Sequence, residues 1–151
     1  MALPPPRIGP ALAVAAAVPF VALAAAVLSG RGIGAGPALY ALQICGAVVL
    51  STLGGIDLGV AASNPRQGSS RLVDFARVVA GIAAPVLSWM GVWMAGSRGL
   101  WLLASGFLIF AVLDWIAASD DATRLWFARS RLLLSAVAAA SLAAAALFGP
   151  F

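Results

Sequence analysis

The chain has 151 residues, 63% of them hydrophobic and 9% charged, with a mean hydropathy of +1.05. A soluble domain carries roughly 25% charged residues, so this composition excludes water as the main solvent and points to lipid. The formal net charge of +4 comes from nine Arg against five Asp, and the arginines fall in connections between apolar runs rather than along one face, which excludes a nucleic-acid surface and makes topology their explanation.

The first apolar run covers about residues 9–29 and is followed by Ser29-Gly30-Arg31-Gly32 with Gly34, Gly36 and Pro37, a cluster of turn residues. A cleavable signal peptide would use Arg7 as its basic region and the small residues Ala22 and Ala24 to Ala26 as its cleavage site. The run is longer than a typical signal core, and Pro19-Phe20 interrupts it. It therefore reads as a span.

The second run, about residues 38–62, contains LSTLGGIDLG from Leu50 to Gly59, which sets Asp57 among glycines in an otherwise apolar stretch. A carboxylate in hydrocarbon costs at least about 2.5 kcal/mol, so Asp57 must face protein or water and find a partner. At about 100° per residue, Ala47, Ser51, Gly55 and Gly59 form a small-residue stripe, with Gly55 and Gly59 a GxxxG pair that lets another helix approach. Gly54 adds a packing position on the face shared by Asp57, Leu50, Leu53 and Ala61. Two packing faces predict that this helix is the centre of the bundle.

The third run, about residues 78–97, carries Pro85, which predicts a kink or loosened hydrogen bonding near Gly81, and Trp89 and Trp93 one turn apart. Ser97-Arg98-Gly99 separates it from the fourth run, about residues 100–118, where Asp114 stands in AVLDW. The fifth run covers about residues 132–149. Counting from the span ends, Asp57 and Asp114 lie at matching depths, about 6 to 8 Å below one boundary. Arg77 and Arg131 begin the third and fifth spans at that same boundary, within snorkelling reach. Asp57, Asp114, Arg77 and Arg131 are thus expected to form an intramembrane polar cluster, either as ion pairs that fix helix register or as a proton, ion or ligand site.

The expected fold is all-α: a polytopic membrane protein with five transmembrane helices in one bundle, a single domain over residues 1–151. Seven arginines (Arg7, Arg66, Arg71, Arg77, Arg124, Arg129, Arg131) fall on one face of that arrangement and only Arg31 and Arg98 on the other, which predicts a cytoplasmic N-terminus and a periplasmic C-terminus. Trp93 and Trp101 near the outer ends, and Trp115 and Trp126 near the inner boundary, fit interfacial belts. Residues 65–77 and 119–131 are then inner-face loops with room for short surface helices.

Chemically, the chain offers little to an enzyme. There is no His, which removes the commonest metal ligand and the Ser-His and Cys-His pairs, and the single Cys45 supports no disulfide framework. Two aspartates on different spans resemble the dyad of intramembrane aspartyl proteases, but GGID lacks the glycine directly before the acid that their GxGD motif requires. No catalytic residue, metal or cofactor is expected.

Pro19-Phe20 in AVPFVAL, the run CGAVVLSTLGGIDLG from Cys45 to Gly59, and RLWFARSRLLLSAVAAASL from Arg124 to Leu142 together resemble the bacterial and mitochondrial membrane family catalogued as domain of unknown function 3429, which includes transmembrane protein 69. That family's second span reads close to YGAxILSFLGGxHWG. Here Gly46, Ala47, Leu50, Ser51, Leu53, Gly54, Gly55 and Gly59 match it, while Cys45 and Thr52 replace aromatic residues and Asp57-Leu58 replaces the His-Trp pair. The resemblance implies five spans and an inner-membrane location but brings no activity with it. Tryptophan-rich sensory proteins share the length and span count, yet their aromatic first connection has no counterpart in SGRGIGAGP.

The expected function is a non-enzymatic, structural or assembly role in the bacterial inner membrane. Its partners would be the lipid bilayer and a membrane protein or second copy, not nucleic acid. The alternative is a small transporter or ligand-binding protein that uses Asp57 and Asp114.

Overall fold

A computed structural model describes residues 8–30, 35–63, 71–94, 96–117 and 122–149, with side chains described over 13–30, 35–59, 75–94, 96–116 and 129–149. The described regular structure is entirely helical: α1 Ile8–Leu28, α2 Ala35–Ser63, α3 Arg71–Trp93, α4 Ser97–Ala117 and α5 Ala122–Phe148. Four helices contain stretches long and apolar enough to cross a membrane, namely Ala35–Gly59, Phe75–Trp93, Ser97–Ile116 and Arg129–Phe148; the described apolar stretch of α1, Ala13–Leu28, is shorter.

Several boundaries differ from the sequence-based expectation: α3 ends at Trp93 rather than near residue 97, and Ser97-Arg98-Gly99, expected as the connection, is the first turn of α4. Helix α3 begins at Arg71 rather than near residue 78, and α5 at Ala122 rather than near 132, so much of what reads as inner-face loop continues the helices. The reason is that hydropathy finds the length matched to lipid, whereas a helix stops only where the backbone is broken. Arg and Ala favour the helix whether or not lipid surrounds them. Residues 64–70 and 118–121, and the side chains of Arg7, Arg31, Arg66, Arg71, Arg124 and Trp126, lie outside the described set.

The helices pack in cyclic order, each against its chain neighbours, with α5 closing back onto α1; α2 also reaches across to α4 and α5. Helix α2 therefore touches every other helix and is the centre of the bundle, although the Gly55–Gly59 face expected to pack is left uncovered. The core joins Phe20 and Val27 of α1, Leu42 and Leu50 of α2, Leu100, Leu103 and Phe107 of α4, and Ala138 and Leu142 of α5. Phe20 meets Phe107 edge to face, with ring centroids 5.9 Å apart. The exterior is as apolar as the interior: Val18, Val48, Ile82, Leu108, Val112 and Leu147 are all exposed. A patch of that extent is untenable in water and ordinary in lipid.

The α3–α4 corner depends on glycine twice. Gly96 has φ +79°, a conformation that side chains resist, and it reverses the chain within three residues so that α3 and α4 lie antiparallel. A methyl group on Gly99 would strike the carbonyl oxygens of Gly91 and Met94. Gln43 of α2 points its Nε2 at Met94 O and Gly96 O, both at 3.4 Å, which ties the corner to the central helix.

Helices α2 and α3 also approach closely. A methyl group on Gly54 would lie 2.5 Å from Ala84 Cβ and 2.9 Å from Gly81 O, and one on Gly81 would lie 2.9 Å from Gly54 O. The two backbones approach closely at the glycines, with the side chains of Leu58 and Ala84 packed against Gly81 and Gly54. Pro85 has no N–H to give to the carbonyl four residues earlier, which is that of Gly81, so the freed oxygen is the one turned toward Gly54. The effect expected of Pro85 thus lies at the helix interface, and α3 continues as a helix to Trp93.

Within the chain, the stripe of small residues divides. Ala47 is buried and Ser51 half-buried, but Gly55 and Gly59 are exposed, with nothing within 4 Å of a methyl group placed on either. The close approach sits on Gly54, one residue round the helix, because the neighbour must also cover Asp57 and Leu53. Gly54→Ala should lower stability by about 1 to 3 kcal/mol through overpacking, while Gly55→Ala should be neutral or raise it by up to about 1 kcal/mol through helix propensity. Unfolding in mixed micelles followed by circular dichroism distinguishes the two, and equal effects would contradict the assigned interface.

Candidate functional site

Four charged side chains from four helices meet inside the bundle: Asp57 of α2, Arg77 of α3, Asp114 of α4 and Arg131 of α5. Even-numbered helices run one way and odd-numbered helices the other, so acids near the ends of α2 and α4 reach the level of arginines near the starts of α3 and α5. The four residues expected from sequence to cluster are therefore brought together.

Arg131 is the hub. Its Nη1 and Nη2 donate to Oδ1 and Oδ2 of Asp57 at 2.9 and 3.1 Å, a two-pronged pairing that matches the planar guanidinium to the planar carboxylate. Its Nε lies 3.1 Å from Asp114 Oδ2, close enough for an ion pair but without hydrogen-bond alignment. Arg77 Nη2 stands 3.6 Å from Asp114 Oδ1, an ion pair beyond hydrogen-bonding distance. With Asp57 and Asp114 5% exposed, Arg131 8% and Arg77 11%, Arg77 is the member nearest the outside.

Two positive and two negative groups cancel, so the cluster adds no net charge to the low-dielectric interior. Desolvating four ions still opposes folding, and mutual attraction offsets this only while all partners remain. Around the hub, Ser135 lies one turn beyond Arg131 on α5, fully buried, and its Oγ makes no hydrogen bond; Ser88 of α3 is similar. The sequence pointed to the four residues by depth alone. What it missed is that one arginine serves both acids, since chain position does not say which guanidinium reaches farther.

At the opposite end of α3, Trp89 and Trp93 stand with ring centroids 5.8 Å apart, and with Met90 and Met94 they line a shallow apolar groove of about 220 Å³. Trp89 begins about 18 Å along the helix from Arg77. The groove shares no residue with the ion network. Trp101 and Trp115 are also exposed, as interfacial anchors would be. Among the described residues, no group of three His, Cys, Asp or Glu side chains is placed to hold a metal ion.

Residues 5–147 match the family described as protein of unknown function DUF3429. The chain belongs to that family. The match takes in all four members of the ion network together with the glycines of α2 and α3. No curated protein and no solved structure matches the chain.

The geometry predicts strong coupling between Asp57 and Arg131. Asp57→Asn and Arg131→Gln should each destabilise by about 3 to 5 kcal/mol, because each leaves a buried charge without its main partner. The double variant should cost clearly less than the two effects added, with a coupling of at least about 1 kcal/mol in a double-mutant cycle read by micellar unfolding. Additive losses would show that the pair is not an energetic unit.

Proposed function

We propose that this chain is a non-enzymatic integral protein of the bacterial inner membrane with five spans, N-terminus cytoplasmic and C-terminus periplasmic, acting in a structural or assembly role. The observation that carries this reading is that both buried carboxylates face Arg131, with their side chains 5% exposed. The intramembrane acids thus act first on one another's partners, holding four helices in register. The groove lined by the two tryptophans contains no acid, so it offers a transported cation or basic solute no route to Asp57 or Asp114.

In this reading α1, a 21-residue helix, forms the fifth span with some tilt or local thinning of the bilayer. The face of α2 bearing Gly55 and Gly59 supports contact with a helix of a membrane partner or a second copy, since small residues without a neighbour permit close backbone approach. Lipid covers the rest of the apolar exterior.

A structural role and a transport role separate in one pair of measurements. Asp57→Asn should lower the thermal midpoint of the purified protein, while vesicles containing the unsubstituted chain should pass protons and monovalent cations no faster than empty vesicles. Flux well above that of empty vesicles, abolished by Asp57→Asn in protein that remains folded, would establish the transporter alternative instead.

Orientation has its own test. A phosphatase reporter fused after Phe151 should be active, as only exported reporter is, and one fused at Gln67 inactive. Activity at Gln67, or silence at Phe151 in a stable fusion, would mean that the span count is not five.

A further inference from the structure

At the end of the bundle away from the ion network, an apolar groove and a free charge stand side by side. Trp89, Met90, Trp93 and Met94 line the groove of about 220 Å³, which follows α3 for about 7.5 Å. Among the described residues nothing covers it, and Trp93 is 77% exposed. Arg98 lies at its head. Gly99 packs against the carbonyl oxygens of Gly91 and Met94, which sets the first turn of α4 level with the last turn of α3. Leu100, the next residue, is fully buried, so Arg98, about 100° to the other side of Gly99, falls on the lipid-facing side of the α3–α4 seam, beside Met94. It is exposed and makes no hydrogen bond or ion pair with the described residues.

Charge decides what fits there. The chain's acids are Asp57, Asp74, Asp114, Asp120 and Asp121, and none falls between α1 and α2 or between α3 and α4, the two connections at this end. Asp114 lies about 24 Å further along α4 from Arg98. The guanidinium therefore has no carboxylate of its own to pair with. A second copy of the chain does not supply one, since a two-fold contact through this groove would bring two Arg98 side chains together. A phospholipid of net negative charge supplies both an anion at the level of Arg98 and a flexible apolar tail for the groove. A zwitterionic headgroup brings an ammonium that finds no acid at this end.

From this placement we infer that the α3–α4 corner is a binding site for an anionic phospholipid, its phosphate on Arg98 and one acyl chain in the groove of Trp89, Met90, Trp93 and Met94. The arginine stem reaches along apolar surface to the headgroup level, where exposed Trp93 and Trp101 also anchor. The unbranched methionines adapt to the chain below. The site needs only that α3 and α4 lie in lipid, whichever way the protein is oriented and whatever role the bundle has, so its failure would leave the proposed structural role standing.

Native mass spectrometry of the full chain, released from micelles that hold equal amounts of phosphatidylglycerol and phosphatidylethanolamine with identical acyl chains, tests the site. Phosphatidylglycerol should be retained about fivefold in preference to phosphatidylethanolamine, the worth of one basic residue at an anionic surface. Arg98→Gln should abolish that preference and Arg98→Lys should keep most of it, whereas Arg129→Gln, at an exposed arginine of the opposite end, should leave it unchanged. Replacing Trp89 and Trp93 together by Ala should lower retention of both lipids severalfold. Circular dichroism of each variant checks that the helices are intact. Equal retention of both lipids, a preference that survives Arg98→Gln or is lost with Arg129→Gln, retention indifferent to the tryptophan pair, or a dimer that holds no lipid would each overturn the inference.

Discussion

The structure depends on one guanidinium. Arg131 stands between Asp57 and Asp114 and so links α5 to α2 and α4 in one stroke, while Arg77 brings α3 to the same carboxylate. An ion pair in a low-dielectric interior adds little to stability compared with well-packed apolar residues, but it is intolerant of misplacement. Sliding any of the four helices by one turn, about 5.4 Å, would strand a charge in hydrocarbon. Apolar helices in lipid have no comparable preference for one register, because a leucine meets much the same surroundings at each depth. The network supplies the vertical specificity that hydrophobicity does not.

Lateral specificity comes from size. Gly54 and Gly81 bring the backbones of α2 and α3 together, and the carbonyl released by Pro85 faces into that crossing. With no hydrophobic force drawing helices together in lipid, such close contacts and the dispersion they allow are what hold a bundle. The two devices are neighbours in the chain: Gly54 and Asp57 are one turn apart on the same buried face of α2. The shape of the interface and the position of the charge therefore constrain each other. A residue larger than glycine at Gly54 would displace α3 and, with it, Arg77.

Outside this inner face the molecule keeps to what lipid permits. Its exposed surface is rich in Val, Ile, Leu and Trp, and among the described residues the charged ones outside the network, Arg98 and Arg129, are exposed. Gly55 and Gly59 open a smooth strip on that surface, on the opposite side of α2 from Asp57. The central helix thus carries both the most constrained face in the bundle and an unoccupied one.

The helical class, the number of helices and the identity of the four network residues were legible in the sequence. Apolar runs of span length, separated by Gly, Pro and Ser, allow no other secondary structure in lipid, and an acid in such a run announces a buried partner. Helix starts at Arg71 and Ala122 were not legible, since hydropathy changes where lipid ends and not where the helix ends. Nor was the division of the α2 glycines, because periodicity places residues on faces without saying which face a neighbour covers; Gly54 and Gly55 look alike until α3 is in place. Matching depths put Asp57, Asp114, Arg77 and Arg131 at one level, but depth is a single coordinate. Which arginine meets which acid depends on the lateral order of the helices and their rotations, and only the packed bundle decides that Arg131 takes Asp57 with both forks and leaves Asp114 to be shared.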